Sequence, residues 1–184
     1  PLAYVQVSSE LLSHMLPEVG VEGLSQVIGE LGESDANPMV SRVDLFADFQ
    51  TDLDIGAIPR HAWVTQASGI DTYSRGGAFT GWVFGAGSAM SARLYDKTAE
   101  IRKSHKTYLY DLWRRSGWDG ESKVWRLEFQ FRRELLASYR ISTFSQILDQ
   151  LGGLWLGAAG SWLGLTLRDP DDTNRARWPL HPIW

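Results

Sequence analysis

The sequence predicts an α+β domain in which an antiparallel sheet is backed by helices, and three observations carry that reading. Segments 42–49, 90–95 and 123–132 alternate apolar and polar residues with period two, as half-buried strands do. The stretches around them space apolar residues at helical intervals. Glycine pairs fall where strands must reverse direction. Strand segments mixed with helices, without a regular βαβ alternation, fit an antiparallel sheet.

Each element follows in order. Ala3 to Val7 is expected as a strand, with Ser8 or Ser9 capping a short helix to about Met15. Val21, Leu24, Val27, Ile28 and Leu31 share one side of a helix over 21–31 that Gly32 ends. After an Asp35-Ala-Asn-Pro38 turn comes the strand at 40–49, then a short helix from Ile55 towards Trp63. Asp71 to Ser74 and Phe79 to Phe84 form a hairpin around Gly76-Gly77, and Met90 to Tyr95 follows across Gly85-Ala-Gly87. That turn lacks the lysine and following helix of a nucleotide-phosphate loop. Helices are expected at 97–103 and 106–116, the second aligning Leu109, Leu112 and Trp113. A Trp118-Asp-Gly120 turn leads into the strand at 123–132, and the remainder reads as helices at 134–139, 143–151 and 154–167.

The three alternating strands carry chemistry on one face only. With Met90, Ala92 and Leu94 inward, Ser91, Arg93 and Tyr95 share the other side, with Lys97 just beyond. Val43, Leu45, Ala47 and Phe49 inward leave Arg42, Asp44, Phe46 and Asp48 outward. Trp125, Leu127, Phe129 and Phe131 inward leave Arg126, Glu128, Gln130 and Arg132. Were these strands neighbours, Asp44, Asp48, Tyr95 and Glu128 would converge on an open surface. Hard carboxylate oxygens suit Mg²⁺ or Mn²⁺, and the absence of cysteine with only four histidines argues against zinc. A divalent ion beside a tyrosine would make a phosphoryl-transfer centre with the phenolate as nucleophile. Taken singly, each residue has an ordinary reading. Tyr95 can be a hydrogen-bonded strand tyrosine, Asp44 and Asp48 solvated carboxylates, and Glu128 the ion-pair partner of Arg126 or Arg132. Of nine tryptophans, Trp63, Trp82, Trp113 and Trp118 could stack bases, but core packing explains most of them better; exposed Phe46 is the favoured base-stacking aromatic.

The blocks Arg-Val-Asp-Leu-Phe-Ala-Asp-Phe (42–49), Phe84-Gly85 and Ser88 leading into Ala-Arg-Leu-Tyr-Asp-Lys (92–97), and Trp-Arg-Leu-Glu-Phe (125–129) resemble, in order and spacing, those of the Rep_trans replication initiation factors. That family includes plasmid rolling-circle initiators and related conjugative relaxases. The resemblance implies an endonuclease/RRM-like catalytic domain that nicks one DNA strand and stays attached to the 5′-phosphate. Carried over, Tyr95 is the nucleophile, Asp44, Asp48 and Glu128 the metal site, and Arg93, Lys97 and Arg126 phosphate supports. Phe46, Arg42, Gln130 and Arg132 are the DNA contacts expected on the same face. The expected partners are single-stranded or extruded origin DNA, a helicase, and a second copy of the chain. No His-hydrophobic-His pair occurs, so the histidine-ligated chemistry of other rolling-circle initiators does not fit. Rival readings are a relaxase for conjugative transfer, a metal-dependent nuclease or nucleotidyl transferase that leaves Tyr95 unused, and a noncatalytic nucleic-acid-binding module.

Composition agrees with these readings without choosing among them. The 184 residues, 43% hydrophobic, suffice for a single catalytic domain over 1–184, with the motifs at 40–135, and an opening proline allows a piece of a longer protein. Zero cysteines fit a reducing cytoplasm, and no apolar run reaches membrane-helix length. The net charge of −4 hides a division: residues 1–90 carry −8, 91–140 carry +5, and 141–184 carry −1. The basic part coincides with the tyrosine block, although a charge run such as 97–115 is usually a solvated helical face.

Overall fold

The structure, a computed structural model, describes residues 4–32 and 38–184. Most of the expected Asp35-Ala-Asn-Pro38 turn lies outside the described residues, as does Ala3, and Tyr4 to Val7 form no strand. The strands are β1 (Arg42–Phe49), β2 (Trp63–Thr65), β3 (Ile70–Arg75), β4 (Ala78–Phe84), β5 (Met90–Asp96), β6 (Trp125–Arg132) and β7 (Leu163–Leu165). Five of them form one antiparallel sheet in the order β1-β6-β5-β4-β3, while β2 and β7 pair separately. The helices are α1 (Ser9–His14), α2 (Pro17–Leu31), α3 (Lys97–Ser104), α4 (Tyr108–Arg115), α5 (Arg133–Ser138) and α6 (Phe144–Gly157). The expected α+β architecture, an antiparallel sheet backed by helices, is present.

The three motif strands are adjacent, with β6 between β1 and β5. Their inward residues, with Trp82 and Phe84 of β4, form the main core, which α6 closes by burying Ile147 and Leu154. The Trp155 ring meets Phe129 edge-on at 5.3 Å, and Trp162 approaches the same ring at 6.5 Å. A second, smaller core of Ile101, Leu109, Trp113 and Val124 lies under α3 and α4.

Several boundaries differ from expectation for identifiable reasons. The segment from Ile55 to Trp63 is two 3₁₀ turns, Ile55–Ala57 and Arg60–Ala62. Pro59 between them pushes Ile58 into an extended conformation and breaks a helix. α6 runs unbroken through Gly152 and Gly153, where two helices were expected. Packing of Leu151, Leu154 and Trp155 on the core outweighs a helix cost of about 1 kcal/mol per glycine. The expected helix to Leu167 instead ends in a π turn, Ala158–Trp162, because the wholly buried Leu163-Gly-Leu165 pairs with β2. α2 starts at Pro17, a residue suited to the first helical position. The side expected to be buried instead leaves Val27 and Leu31 facing solvent, and Gly20 is the buried residue of that helix. α4 starts at Tyr108, since α3 ends at left-handed His105, whose N–H bonds Ile101 O at 2.8 Å.

Gly81 of β4 lies opposite Tyr95. A Cβ there would sit 2.6 Å from Leu94 O and 2.9 Å from Tyr95 Cβ, both closer than atoms pack. Gly81→Ala is therefore expected to cost about 1–3 kcal/mol and to push Tyr95 from its place, read as a lower denaturation midpoint together with a changed Tyr95 ring signal. Among the described residues no helix is long and apolar enough to cross a membrane.

Candidate active site

Strand register arranges the polar face in rows. Asp48, Arg126, Tyr95 and Gly81 form one row across β1, β6, β5 and β4; Phe46, Glu128 and Arg93 form the next; Asp44, Gln130 and Ser91 the third; Arg42 and Arg132 the last. Tyr95 and Glu128 share the face, as alternation requires. The face is less open than alternation suggested, because the central residues Arg126 and Glu128 are buried by the side chains around them.

Glu128 is the hub. The Tyr95 hydroxyl donates to its Oε2 at 3.1 Å, and Arg93 pairs with its Oε1. The ordinary reading had Glu128 pairing with Arg126 or Arg132; the partner is Arg93, directly opposite across β5 and β6. Arg126 instead forks onto Asp48, its Nε and Nη2 donating at 2.6 and 2.7 Å. The Trp113 indole donates to the same carboxylate at 2.9 Å. The Arg126 guanidinium also lies 3.6 Å from the Phe46 ring centroid, covering one face of an aromatic that is 44% exposed. At the far end Arg42 pairs with Asp44, and Arg132 donates to Gln130 and to Gly87 O.

Tyr95 sits where a phenol holds its proton tightly. Burial raises its pKa first and the Glu128 charge second, against the pull of Arg126 and Arg93. Two flanking cations therefore do not ionise it. Lys97 is buried at the start of α3, which Asp96 caps, with its ammonium tied to Glu100 and 5.6 Å from the Tyr95 ring. Burial lowers its pKa, while the Glu100 bond works the other way.

The expected three-carboxylate cluster does not assemble. Among the described residues no group of three acidic or histidine side chains is placed to hold a metal. Asp44 and Asp48 lie on opposite sides of Phe46, each diagonal to Glu128. The Asp48–Arg126 pair is sequestered on both sides, its side chains 13% and 5% exposed; the Glu128 carboxylate is no more open at 9%, but its partner Arg93 is 48% exposed, and the Arg42–Asp44 pair is 40% and 29% exposed. Guanidinium groups that reach solvent can leave their carboxylates, which makes Asp44 and Glu128 the acids of this face that could be freed for a cation.

Of the tryptophans weighed as base-stackers, Trp63, Trp82 and Trp113 are buried in the cores, and Trp118 stacks on Tyr110 at 5.4 Å. Trp113 and Gly81 are site-shaping residues that sequence reasoning missed. Glycine inside a strand is the available signal for Gly81. A contact spanning 65 residues left no local signal for Trp113. A concavity of about 740 Å³ bounded by Arg60, Thr65 and Arg175 contains none of the polar-face residues.

No family model matches the chain. No curated protein matches it in sequence. In fold it is similar to the rolling circle replication initiator protein from Geobacillus stearothermophilus, with a TM-score of 0.53 and 19% identity over 79% of this chain and 53% of that one. The chain thus spans about half the length of that structure.

Proposed function

We propose that the chain is the catalytic core of a Rep_trans-type rolling-circle initiator, a strand-specific DNA nickase whose nucleophile is Tyr95. The observation that carries this reading is the hydrogen bond from the Tyr95 hydroxyl to Glu128 beside Arg93. The fold likeness supports it. The phenol oxygen attacks a backbone phosphorus, the bond to the 3′ oxygen breaks, and the products are a 5′-phosphotyrosine and a free 3′-hydroxyl. Glu128 orients the phenol and accepts its proton, and the departing 3′ oxygen takes up a proton from solvent water. Arg93, half exposed, turns from Glu128 to the phosphate. Arg126, fixed by Asp48, lends charge and supports Phe46 as a stacking surface for an unpaired base.

Asp44 and Glu128 are the residues that would hold Mg²⁺ or Mn²⁺, whose charge, when bound, polarises the phosphodiester and favours the phenolate. Asp48 in this reading is structural, holding Arg126. Lys97 acts through the Tyr95 ring it abuts rather than by touching phosphate. The substrate is single-stranded or extruded origin DNA, because a paired duplex hides the scissile strand from a half-buried row. A helicase and a second copy are the further partners, and the cytoplasm the site of action.

One observation favours a rival. Each of the three carboxylates is paired with arginine, which leaves none of them free for catalysis in this arrangement and favours a noncatalytic nucleic-acid-binding module. The test is incubation with labelled single-stranded origin oligonucleotides and Mn²⁺. A denaturant-resistant protein-DNA adduct is expected, lost in Tyr95→Phe. Cleavage that survives Tyr95→Phe sinks the covalent mechanism in favour of a water or 3′-hydroxyl nucleophile; no cleavage of any candidate origin favours the binding module. Relaxase and initiator share this chemistry and separate on whether the free 3′-hydroxyl is extended.

A further inference from the structure

From the exposed cations of α3, α4 and the loops that adjoin them we infer a second nucleic-acid surface, a phosphate-backbone track that carries the strand away from the nicking row; the inference rests on the reading of the chain as a DNA enzyme. The segment between β5 and β6 folds over its own small core, with Ile101, Leu109, Trp113 and Val124 pointing inward. What remains outward is basic. Arg102, Lys103, Lys106, Arg115 and Lys123 are exposed and form no ion pair among the described residues. Of the four acids in the same segment, Glu100 is paired with Lys97 and Asp111 with Arg114, Asp119 accepts from Ser122 and the backbone of its own turn, and Glu121 is exposed with no ion pair among the described residues. An ordinary solvated helix face pairs its charges, whereas over residues 97–123 seven Lys/Arg stand against four Asp/Glu, an excess of three positive charges.

The placement ties the lobe to the site. α3 begins one residue after β5 ends, two beyond Tyr95, and α4 sends the Trp113 indole onto Asp48. The lobe therefore adjoins the Asp48–Arg126–Tyr95 end of the polar face, where a strand leaving that row can pass onto it. The acidic remainder of the chain does little against this at physiological salt, where charges more than about 8 Å away are screened. Exposed lysine and arginine side chains suit contact with phosphates irrespective of base sequence.

The test is fluorescence anisotropy with a labelled thirty-nucleotide oligo-dT, run without divalent cation on a Tyr95→Phe background, so that the outcome does not depend on the nicking chemistry. Each phosphate contact on single-stranded DNA contributes about 0.7 to the slope of log affinity against log salt. Lys103→Ala/Lys106→Ala/Arg115→Ala should shallow that slope by about 2 and weaken binding by on the order of 100-fold at 0.1 M salt. A control that removes as many exposed cations elsewhere, Arg60→Ala/Arg75→Ala/Arg175→Ala, should leave the slope unchanged. Circular dichroism checks that both variants stay folded, as surface changes of this kind normally allow. An unaltered slope in the lobe variant overturns the assignment. So does an equal loss in the control, which would mark a net-charge effect. A change of oligomeric state in the lobe variant without change in DNA affinity would mean that the cations meet an acidic protein surface instead. Loss of the adduct in the nicking assay with the slope difference intact would refute the tyrosine chemistry and leave the track standing.

Discussion

Asp48→Ala is expected to lower the stability of the folded chain by about 3–5 kcal/mol, the cost of leaving a buried charge without its partner. Arg126 lies in the middle of the sheet with almost no access to water, and Asp48 supplies both of the hydrogen bonds that satisfy its fork. Removing the carboxylate also strips the acceptor from the Trp113 indole and loosens α4 from β1. Urea denaturation reads the effect as a lower midpoint. Replacing both partners by apolar residues of similar volume, Asp48→Leu with Arg126→Met, should recover most of the loss, because no orphaned charge remains. If Asp48→Ala instead keeps its midpoint but loses its response to Mn²⁺, the carboxylate is a metal ligand, and the assignment of the ion to Asp44 and Glu128 is wrong.

Glu128→Gln should slow adduct formation by about 10²- to 10⁴-fold while the protein stays folded, the usual range for removing a positioned proton acceptor. The same substitution should make Tyr95 easier to ionise. Burial and then the Glu128 charge hold the phenol's pKa above the ordinary value of about 10, and with that charge gone only burial opposes Arg126 and Arg93. A tyrosinate absorbance titration, read against Tyr95→Phe, shows the shift. Linkage gives a second readout. A phenol that binds its proton more tightly when folded contributes stability fully present below about pH 10 and lost as pH rises further, because the unfolded chain gives up that proton first. The loss above pH 10 should be shallower in Glu128→Gln. A slower reaction despite an easier ionisation, with the Mn²⁺ dependence unchanged, would identify Glu128 as the group that receives the proton and orients the phenol; a slower reaction that higher Mn²⁺ restores would mark it as a metal ligand. An unchanged rate would leave Tyr95 with no need of it.

Much of this site was legible in the chain, and the part that was not has a common cause. Alternation assigned Tyr95, Arg93, Glu128, Arg126, Asp44 and Asp48 to one face without knowledge of neighbours, and all six lie there. The hairpin around Gly76-Gly77 was equally legible, since both residues take positive φ, 56° and 80°, as such a turn requires. The partner of each acid was not. Arg126 or Arg132 was the expected partner of Glu128, yet the register with β5 hands it to Arg93, and the register with β1 hands Arg126 to Asp48. Helical spacing also misled where burial overrode it, at α2 with its exposed Val27 and Leu31, and at Leu163-Gly-Leu165, which became a strand.

The sequence by itself determined which side chains share a face, because that follows from the covalent geometry of an extended chain, two residues per repeat whatever lies alongside. Only the tertiary structure decided that β6 inserts between β1 and β5, that Asp48 is spent on Arg126, and that the Tyr95 phenol is buried against a carboxylate and keeps its proton. Those outcomes depend on which strand lies next to which and on how much water their packing expels, quantities set by contacts between segments tens of residues apart.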